Sequence, residues 1–146
     1  MATVRAHVNA SPSEVYRILA NGWTYTQWVV GASHMRAVEA DWPAVNSKIY
    51  HAIGLWPLTI RDYTQIEKQI PDRQLLLAAQ GRPFGHAKID LRLEPREDGT
   101  EVVMREELVG KSKWLMRIAA FDALVARRNA ESLARLAALS ERRTEP

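Results

Sequence analysis

The chain has 146 residues, a length that predicts one domain over residues 1–146 with enough chain to build a hydrophobic core. Its hydrophobic fraction of 47% and charged fraction of 25% are ordinary for a soluble globular protein, and the lack of cysteine excludes disulfides, thiolate metal sites and cysteine nucleophiles. The net charge of +3 is a small excess, which disfavours a nucleic-acid partner.

The N-terminal segment is predicted to be a strand followed by two short helices. Residues 3–9 alternate between apolar and polar side chains, as a strand with one buried face does. Ser11 suits the N-cap of a helix, Pro12 its first position, and Glu14 the acidic position of a capping box. A second short helix is predicted over residues 24–30, so both helices precede the rest of the sheet.

Two strands are predicted between residues 33 and 53, and from residue 59 to residue 108 the chain is predicted to be almost entirely β-strand. Turn residues mark the breaks, and Asp98-Gly99 between two alternating runs is a strong signal for a hairpin. Glu106 shares the apolar face of the last strand with Val102, Met104 and Leu108, so a carboxylate is predicted among apolar side chains. The predicted strands are 33–39, 48–53, 58–70, 74–79, 84–94 and 100–109.

The chain closes with a long amphipathic helix, predicted over residues 112–142. At 3.6 residues per turn, one stripe of this helix is apolar, and Asn129 and Asp122 fall within it. Asn129 keeps this inward position even if the helix begins late, whereas the position of Asp122 depends on where the helix begins. The apolar stripe consists of Trp114, Ile118, Phe121, Val125, Leu133 and Leu136.

The order of elements and several segments resemble the START/polyketide cyclase (SRPBCC, helix-grip) superfamily, and within it a polyketide cyclase/dehydrase-like member. Residues 8–16 (VNASPSEVY) resemble the family's first strand running into a capped helix, and Trp28 falls where the second short helix often carries a tryptophan. Residues 65–75 resemble its strand-proline-turn-strand element. Residues 93–102 resemble the hairpin that enters its last strand.

This resemblance implies an α+β helix-grip fold. A curved antiparallel sheet of about seven strands would wrap around the long C-terminal helix, with two short helices after the first strand. It also implies a cavity between sheet and helix for an apolar or aromatic small molecule. It carries over no fixed catalytic residues, because carriers, cyclases and hydrolases share the fold.

Aromatic and polar side chains are predicted to line this cavity. Tryptophan rings suit a planar or lipidic ligand, and a buried Asn129 would need a hydrogen-bond partner that a ligand can supply. Tyr63 shares a strand face with Arg61, and the two either bind a carboxylate or phenol together or lie on the convex, solvated side. The predicted ligand-binding residues are Trp28, Trp56, Tyr63, Trp114, Val125 and Asn129.

Glu106 and Asp122 are the candidates for acid–base catalysis. Burial in an apolar hollow disfavours the charged form of a carboxyl group, which is one way to prepare it for proton transfer near neutral pH. The alternative for Glu106 is a pair with an arginine or a strand end that solvent reaches. His51 is interpreted as a packed residue, and the four histidines show no metal-ligand spacing.

Three functions remain open from the sequence. The first is binding of a hydrophobic or aromatic small molecule. The second is a cyclase or dehydratase that uses neither metal nor cofactor. The third is a protein-interaction module through the basic last helix, where eight Lys/Arg stand against four Asp/Glu from Lys111 onward.

The expected partners and location follow from the same features. We expect a hydrophobic small-molecule ligand, no nucleic acid and no stable membrane insertion, since no apolar run approaches the ~18 residues that a spanning helix needs. A homodimer remains open. The N-terminus shows no signal-peptide pattern, so we expect a cytoplasmic protein.

Overall fold

Seven strands form one antiparallel sheet in the computed structural model, which describes residues 2–53, 60–80, 86–110 and 113–142. The strands are β1 (Ala2–Val8), β2 (Ala32–Val38), β3 (Lys48–Ile53), β4 (Ile60–Ile70), β5 (Gln74–Gln80), β6 (His86–Arg96) and β7 (Gly99–Val109). Their spatial order is β1-β7-β6-β5-β4-β3-β2, so the chain runs as a meander from β2 to β7 and β7 then pairs with β1.

The described residues also form three α-helices: α1 (Pro12–Ala20), α2 (Tyr25–Trp28) and α3 (Ala119–Arg142). The predicted start of α1 is confirmed, because the Ser11 hydroxyl accepts a hydrogen bond from the backbone N–H of Glu14 at 3.3 Å and Pro12 occupies the first turn. A 3₁₀ turn at Gly22–Thr24 leads from α1 into α2. Within the described residues, no helix is both long and apolar enough to cross a bilayer.

The predicted helix over residues 112–142 is wrong at its N-terminal end. Residues Lys113–Arg117 form a 3₁₀ turn, and α3 begins only at Ala119. A 3₁₀ helix has three residues per turn, so residues before the break lose the angular alignment that a continuous α-helix would give them. Trp114 and Ile118 are therefore 56% and 44% exposed, although the predicted stripe placed both inward.

The inner face of the sheet and the buried face of α3 enclose the core, which confirms the predicted helix-grip fold. Beyond the break the predicted stripe is correct, because Val125, Leu133 and Leu136 are all buried. Alternation along β6 and β7 places Leu91, Met104 and other apolar side chains on the same inner face. The helix thus covers one face of the sheet, and the space between them becomes the place to look for a site.

The hairpin predicted at Asp98-Gly99 is also present. Arg96 pairs with Gly99, so Glu97 and Asp98 form the two-residue connection between β6 and β7. Gly99 has a φ angle of +151°, and a Cβ atom built on it would lie 2.1 Å from the carbonyl oxygen of Val8. The absence of a side chain at this position allows the hairpin to approach the end of β1.

Candidate functional site

A cavity of about 220 Å³ lies between the inner face of the sheet and helix α3. Strands β3, β5, β6 and β7 form its floor, and α2, the turn after it and α3 form its roof. The walls are mainly apolar, and they include Trp28, Val29, Val30, Leu77, Ala79, Ala87, Ile89, Met104, Leu108, Phe121 and Val125. A space of this shape and lining is typical of a small-molecule site.

The first polar group in the cavity is an ion pair between β7 and α3. Glu106 is only 4% exposed, and Arg128 Nη2 donates to its two carboxylate oxygens at 2.6 and 2.7 Å. The amide nitrogen of Asn129 donates to Glu106 Oε1 at 3.2 Å, and the amide oxygen of Asn129 accepts from Arg128 Nε at 3.3 Å. The three side chains therefore form one closed set of hydrogen bonds.

Burying the Glu106 carboxylate costs hydration free energy, which its hydrogen bonds offset. Removing a carboxylate from water is unfavourable, and only a well-formed pair with further hydrogen bonds offsets that loss. Glu106 has both, and the Arg128 side chain remains 41% exposed, so its cationic end is partly hydrated. The pair joins the last strand to the last helix within the cavity lining.

The second polar group is a chain of three hydrogen-bonded side chains, of which Tyr25 and His51 line the cavity. Thr64 Oγ1 lies 2.8 Å from His51 Nε2 and 3.2 Å from the Tyr25 hydroxyl oxygen. The rings of Tyr25 and His51 stack with their centroids 5.1 Å apart, and Tyr25 meets Trp28 edge-on at 5.7 Å. These contacts hold the two polar rings in one position against the cavity.

Burial controls the protonation of both rings. It lowers the pKa of His51 from 6.5 to about 4, against an opposing effect of Asp62 and with a smaller lowering effect of Arg36. Burial also raises the pKa of Tyr25, and the hydrogen bond to Thr64 lowers it by less. Two smaller effects follow: the charge of Glu106 raises this pKa, and the charge of Arg128 lowers it. At neutral pH the histidine is uncharged, so one ring nitrogen carries a proton and the other accepts.

The low pKa of His51 predicts that acid destabilises the fold. Between pH 6.5 and about 4, His51 binds a proton in the unfolded chain and stays neutral in the folded protein. Its contribution to the free energy of unfolding is therefore fully present above pH 6.5 and falls as the pH drops towards 4. We expect the free energy of unfolding to have lost about 3 kcal/mol of this contribution at pH 4. Urea unfolding of the wild type and of His51→Gln at pH 7 and pH 4 measures it.

The matched control is His34→Gln, which removes an exposed histidine from β2. His34→Gln should lose as much stability on acidification as the wild type does, whereas His51→Gln should lose less. Equal losses for the wild type and His51→Gln would show that the buried histidine does not carry the effect.

Four of the residues proposed from the sequence lie together in the cavity wall. Trp28 is 3% exposed and comes from α2, while Val125 and Asn129 come from α3, one turn apart. Glu106 comes from β7, and it pairs with an arginine, which was the alternative weighed against a catalytic role. The site therefore combines the second short helix, the last strand and the last helix.

The other proposed residues lie elsewhere. Tyr63 is on the outer face of β4, where its ring meets Tyr50 at 6.3 Å and the amino group of Lys48 at 4.8 Å. Trp114 is in the exposed 3₁₀ turn, and half-buried Asp122 is in the first turn of α3, apart from the cavity-lining residues of the described chain. Trp56 lies outside the described residues.

Sequence reasoning did not identify the Tyr25–Thr64–His51 chain or Arg128. A signal existed for His51 and Thr64, because they share strand faces with the buried residues Ile49 and Ile66. No signal existed for their meeting, since residues 25, 51 and 64 come from three elements that only the tertiary structure brings together. Among the described residues, no group of three or more His, Asp or Glu side chains could hold a metal ion.

A family model matches almost the whole chain. It is the model described as "Polyketide cyclase / dehydrase and lipid transport", and the match covers residues 1–141. No curated protein matches the sequence significantly. The family match is therefore the sequence-level relationship that bears on the site.

Solved structures share the fold at low sequence identity. A protein of unknown function from Staphylococcus aureus, SA2116, has a TM-score of 0.79 at 14% identity, covering 99% of this chain and 95% of its own. TTHA0849 from Thermus thermophilus has a TM-score of 0.73 at 14% identity, covering 99% of each chain. The di-domain ARO/CYC StfQ of the steffimycin biosynthetic pathway has a TM-score of 0.73 at 11% identity, covering 97% of this chain and 50% of that one.

Proposed function

Because this chain belongs to the polyketide cyclase / dehydrase and lipid transport family, as its resemblance to the superfamily predicted, we propose that it binds a small apolar or aromatic molecule between its sheet and helix α3. The observation that carries this proposal is the cavity itself. An apolar space enclosed by Trp28, Ile89, Met104 and Val125 favours the transfer of an apolar molecule from water.

The size of the cavity limits the ligand. An engineered apolar cavity of ~150 Å³ in another protein admits benzene, and sites for drug-sized molecules begin at roughly 300 Å³. The volume of about 220 Å³ lies between these two values. We therefore propose a ligand with one or two rings, or an aliphatic molecule of similar volume, in preference to a long-chain lipid.

Native mass spectrometry of the purified protein tests this proposal directly. We expect a fraction of the protein to carry a small additional mass, and denaturing extraction should release an apolar or aromatic compound. The empty fraction should then take up such compounds in a titration. If the protein is always empty and binds no one-ring or two-ring compound at millimolar concentration, the proposal is wrong.

One observation supports acid–base catalysis as a second candidate function. Glu106 is a buried carboxylate that lines the cavity, and Asn129 and Arg128 hold its orientation. A positioned carboxylate next to a bound carbonyl compound can accept the proton that a cyclisation or dehydration must remove. This arrangement suits a cyclase or dehydratase.

The variant Glu106→Gln distinguishes an acid–base enzyme from a protein that only binds its ligand. It keeps the shape of the side chain and removes its capacity as a base. For an enzyme, we expect turnover to fall by about a hundredfold or more while ligand affinity stays within about twofold. If the wild-type protein binds its extracted ligand and never converts it, the enzyme hypothesis is wrong and binding is the function that remains.

A further inference from the structure

We infer that Tyr25, Thr64 and His51 form the polar end of the binding site, and that this end takes the oxygen atom of a neutral phenol or aryl ketone with one or two rings. The inference rests on the proposed function, because it names the class of small molecule that the cavity would bind. Its support comes from the hydrogen-bond chain, from the position of the two rings and from the charge of the neighbouring group.

The chain of hydrogen bonds can run in two directions. The Thr64 hydroxyl has a single proton to donate, and it lies between His51 Nε2 and the Tyr25 hydroxyl. If Thr64 donates to His51, Tyr25 donates to Thr64 and the Tyr25 oxygen keeps lone pairs for another donor. If His51 Nε2–H donates to Thr64, Thr64 donates to Tyr25 and the Tyr25 proton is available to another acceptor.

The two directions allow Tyr25 to meet either kind of ligand oxygen. In the first direction it accepts a hydrogen bond from a phenol, and in the second it donates one to a ketone. His51 is neutral at pH 7, because burial lowers its pKa to about 4, and within the described residues Nδ1 has no hydrogen-bond partner that would fix which ring nitrogen carries the proton. The chain therefore adapts to the ligand by reversing its two hydrogen bonds and changing the tautomer of His51, without moving a heavy atom.

The two rings are already positioned for this role. Tyr25 and His51 both line the cavity, and their stacked rings limit each other's rotation. Thr64 is completely buried beneath them and connects them to β4. A ligand oxygen that reaches Tyr25 thus meets a hydroxyl whose orientation is set before binding, which lowers the entropy lost on binding.

The Glu106–Arg128 pair is a poorer partner for a ligand. Glu106 Oε1 already accepts from Arg128 and Asn129, and Oε2 accepts from Arg128, so few acceptor positions remain for a ligand hydroxyl. An ionised carboxylate also has no proton to donate to a ketone oxygen. Burial away from water acts most strongly on the Tyr25 hydroxyl and raises its pKa, and the charge of Glu106 raises that pKa more than Arg128 lowers it. The same burial in an apolar cavity disfavours an anionic ligand oxygen beside Tyr25, which is why we infer a neutral phenol or ketone.

The test compares two compounds of nearly equal shape by isothermal titration calorimetry at pH 7. The compounds are 2-naphthol and 2-methylnaphthalene, which differ by a hydroxyl in place of a methyl group. We expect Tyr25→Phe to weaken binding of 2-naphthol about tenfold and to leave that of 2-methylnaphthalene within about twofold. Only the loss of a specific hydrogen bond produces such a difference between the two compounds.

Tyr16→Phe is the matched control. Tyr16 is a buried tyrosine on α1 whose hydroxyl accepts from Gln69 Nε2 at 2.7 Å, outside the cavity-lining set. Tyr16→Phe should leave the affinities for 2-naphthol and for 2-methylnaphthalene unchanged. If Tyr25→Phe weakens both compounds equally, or neither, the inference is overturned while the proposed function stands. If the wild type binds neither compound, the proposed function fails for this size class and takes the inference with it.

A measurement on the wild type alone avoids dependence on the folding of a variant. Acetophenone labelled with ¹³C at its carbonyl reports the hydrogen bond through its infrared stretch. We expect the bound carbonyl to absorb at lower frequency than the same compound in hexane, as donation from Tyr25 requires. A bound carbonyl at the hexane frequency would show that no donor meets the ligand, and would overturn the inference.

Discussion

Tryptophan in place of Val125 is expected to abolish ligand binding, with a loss of affinity of at least about a hundredfold. Val125 is buried on α3 and its side chain enters the cavity. An indole ring at this position would occupy much of the 220 Å³ that the proposed ligand needs. Overpacking costs about 1–3 kcal/mol, so the variant should still fold at 25 °C.

The control for this variant is Ala134→Trp, which places the same ring on the exposed side of the same helix. Its ligand affinity should equal that of the wild type. Titration calorimetry with an extracted ligand or with 2-naphthol measures both variants, and circular dichroism verifies their fold. A folded Val125→Trp protein that binds with wild-type affinity would place the ligand outside this cavity.

Replacing Gly99 with alanine adds one methyl group to the hairpin and is expected to lower the free energy of unfolding by about 3 kcal/mol. The new Cβ would lie 2.1 Å from the Val8 carbonyl oxygen and 3.1 Å from the Val8 carbonyl carbon. These atoms belong to the backbone, so no side-chain rotation relieves the clash. Since β7 pairs with β1 from Val8 to Ala2, the hairpin could move away only by breaking that pairing.

Gly110→Ala separates the clash from the conformational strain. Gly110 also has a positive φ angle, +95°, but a Cβ atom there would meet nothing within 4 Å. We expect it to lose only about 1 kcal/mol. Urea unfolding of the two variants and the wild type gives both values, and equal losses would show that contact with Val8 is not the cause.

Alternation and caps were enough to predict most of the fold. Ser11 and Pro12 begin α1 because a hydroxyl acceptor and a fixed φ angle suit the first turn of any helix. The strands followed from period-two alternation, and Glu106 was placed on the inner face by parity alone. Such rules work because they concern neighbours along the chain.

Prediction was weaker where parity was ambiguous or a helix changed its pitch. On β4, Asp62, Thr64 and Ile66 alternate with Arg61, Tyr63 and Gln65, and both sets mix polar with apolar residues. Composition could not decide which set faces inward, and the structure places Tyr63 outside and Thr64 inside. Trp114 was misplaced for a different reason, because a 3₁₀ turn replaced the expected first turns of the α-helix.

The sequence by itself determined the order of elements and the buried stripe of α3, because local periodicity decides which face of an element avoids water. The cavity between helix and sheet was expected from the resemblance to the superfamily. Only the tertiary structure decided which polar side chains meet inside. Arg128 reaches Glu106 across 22 residues, and Tyr25 reaches Thr64 across 39. Such contacts depend on how elements pack against one another, and no spacing along the chain encodes that distance.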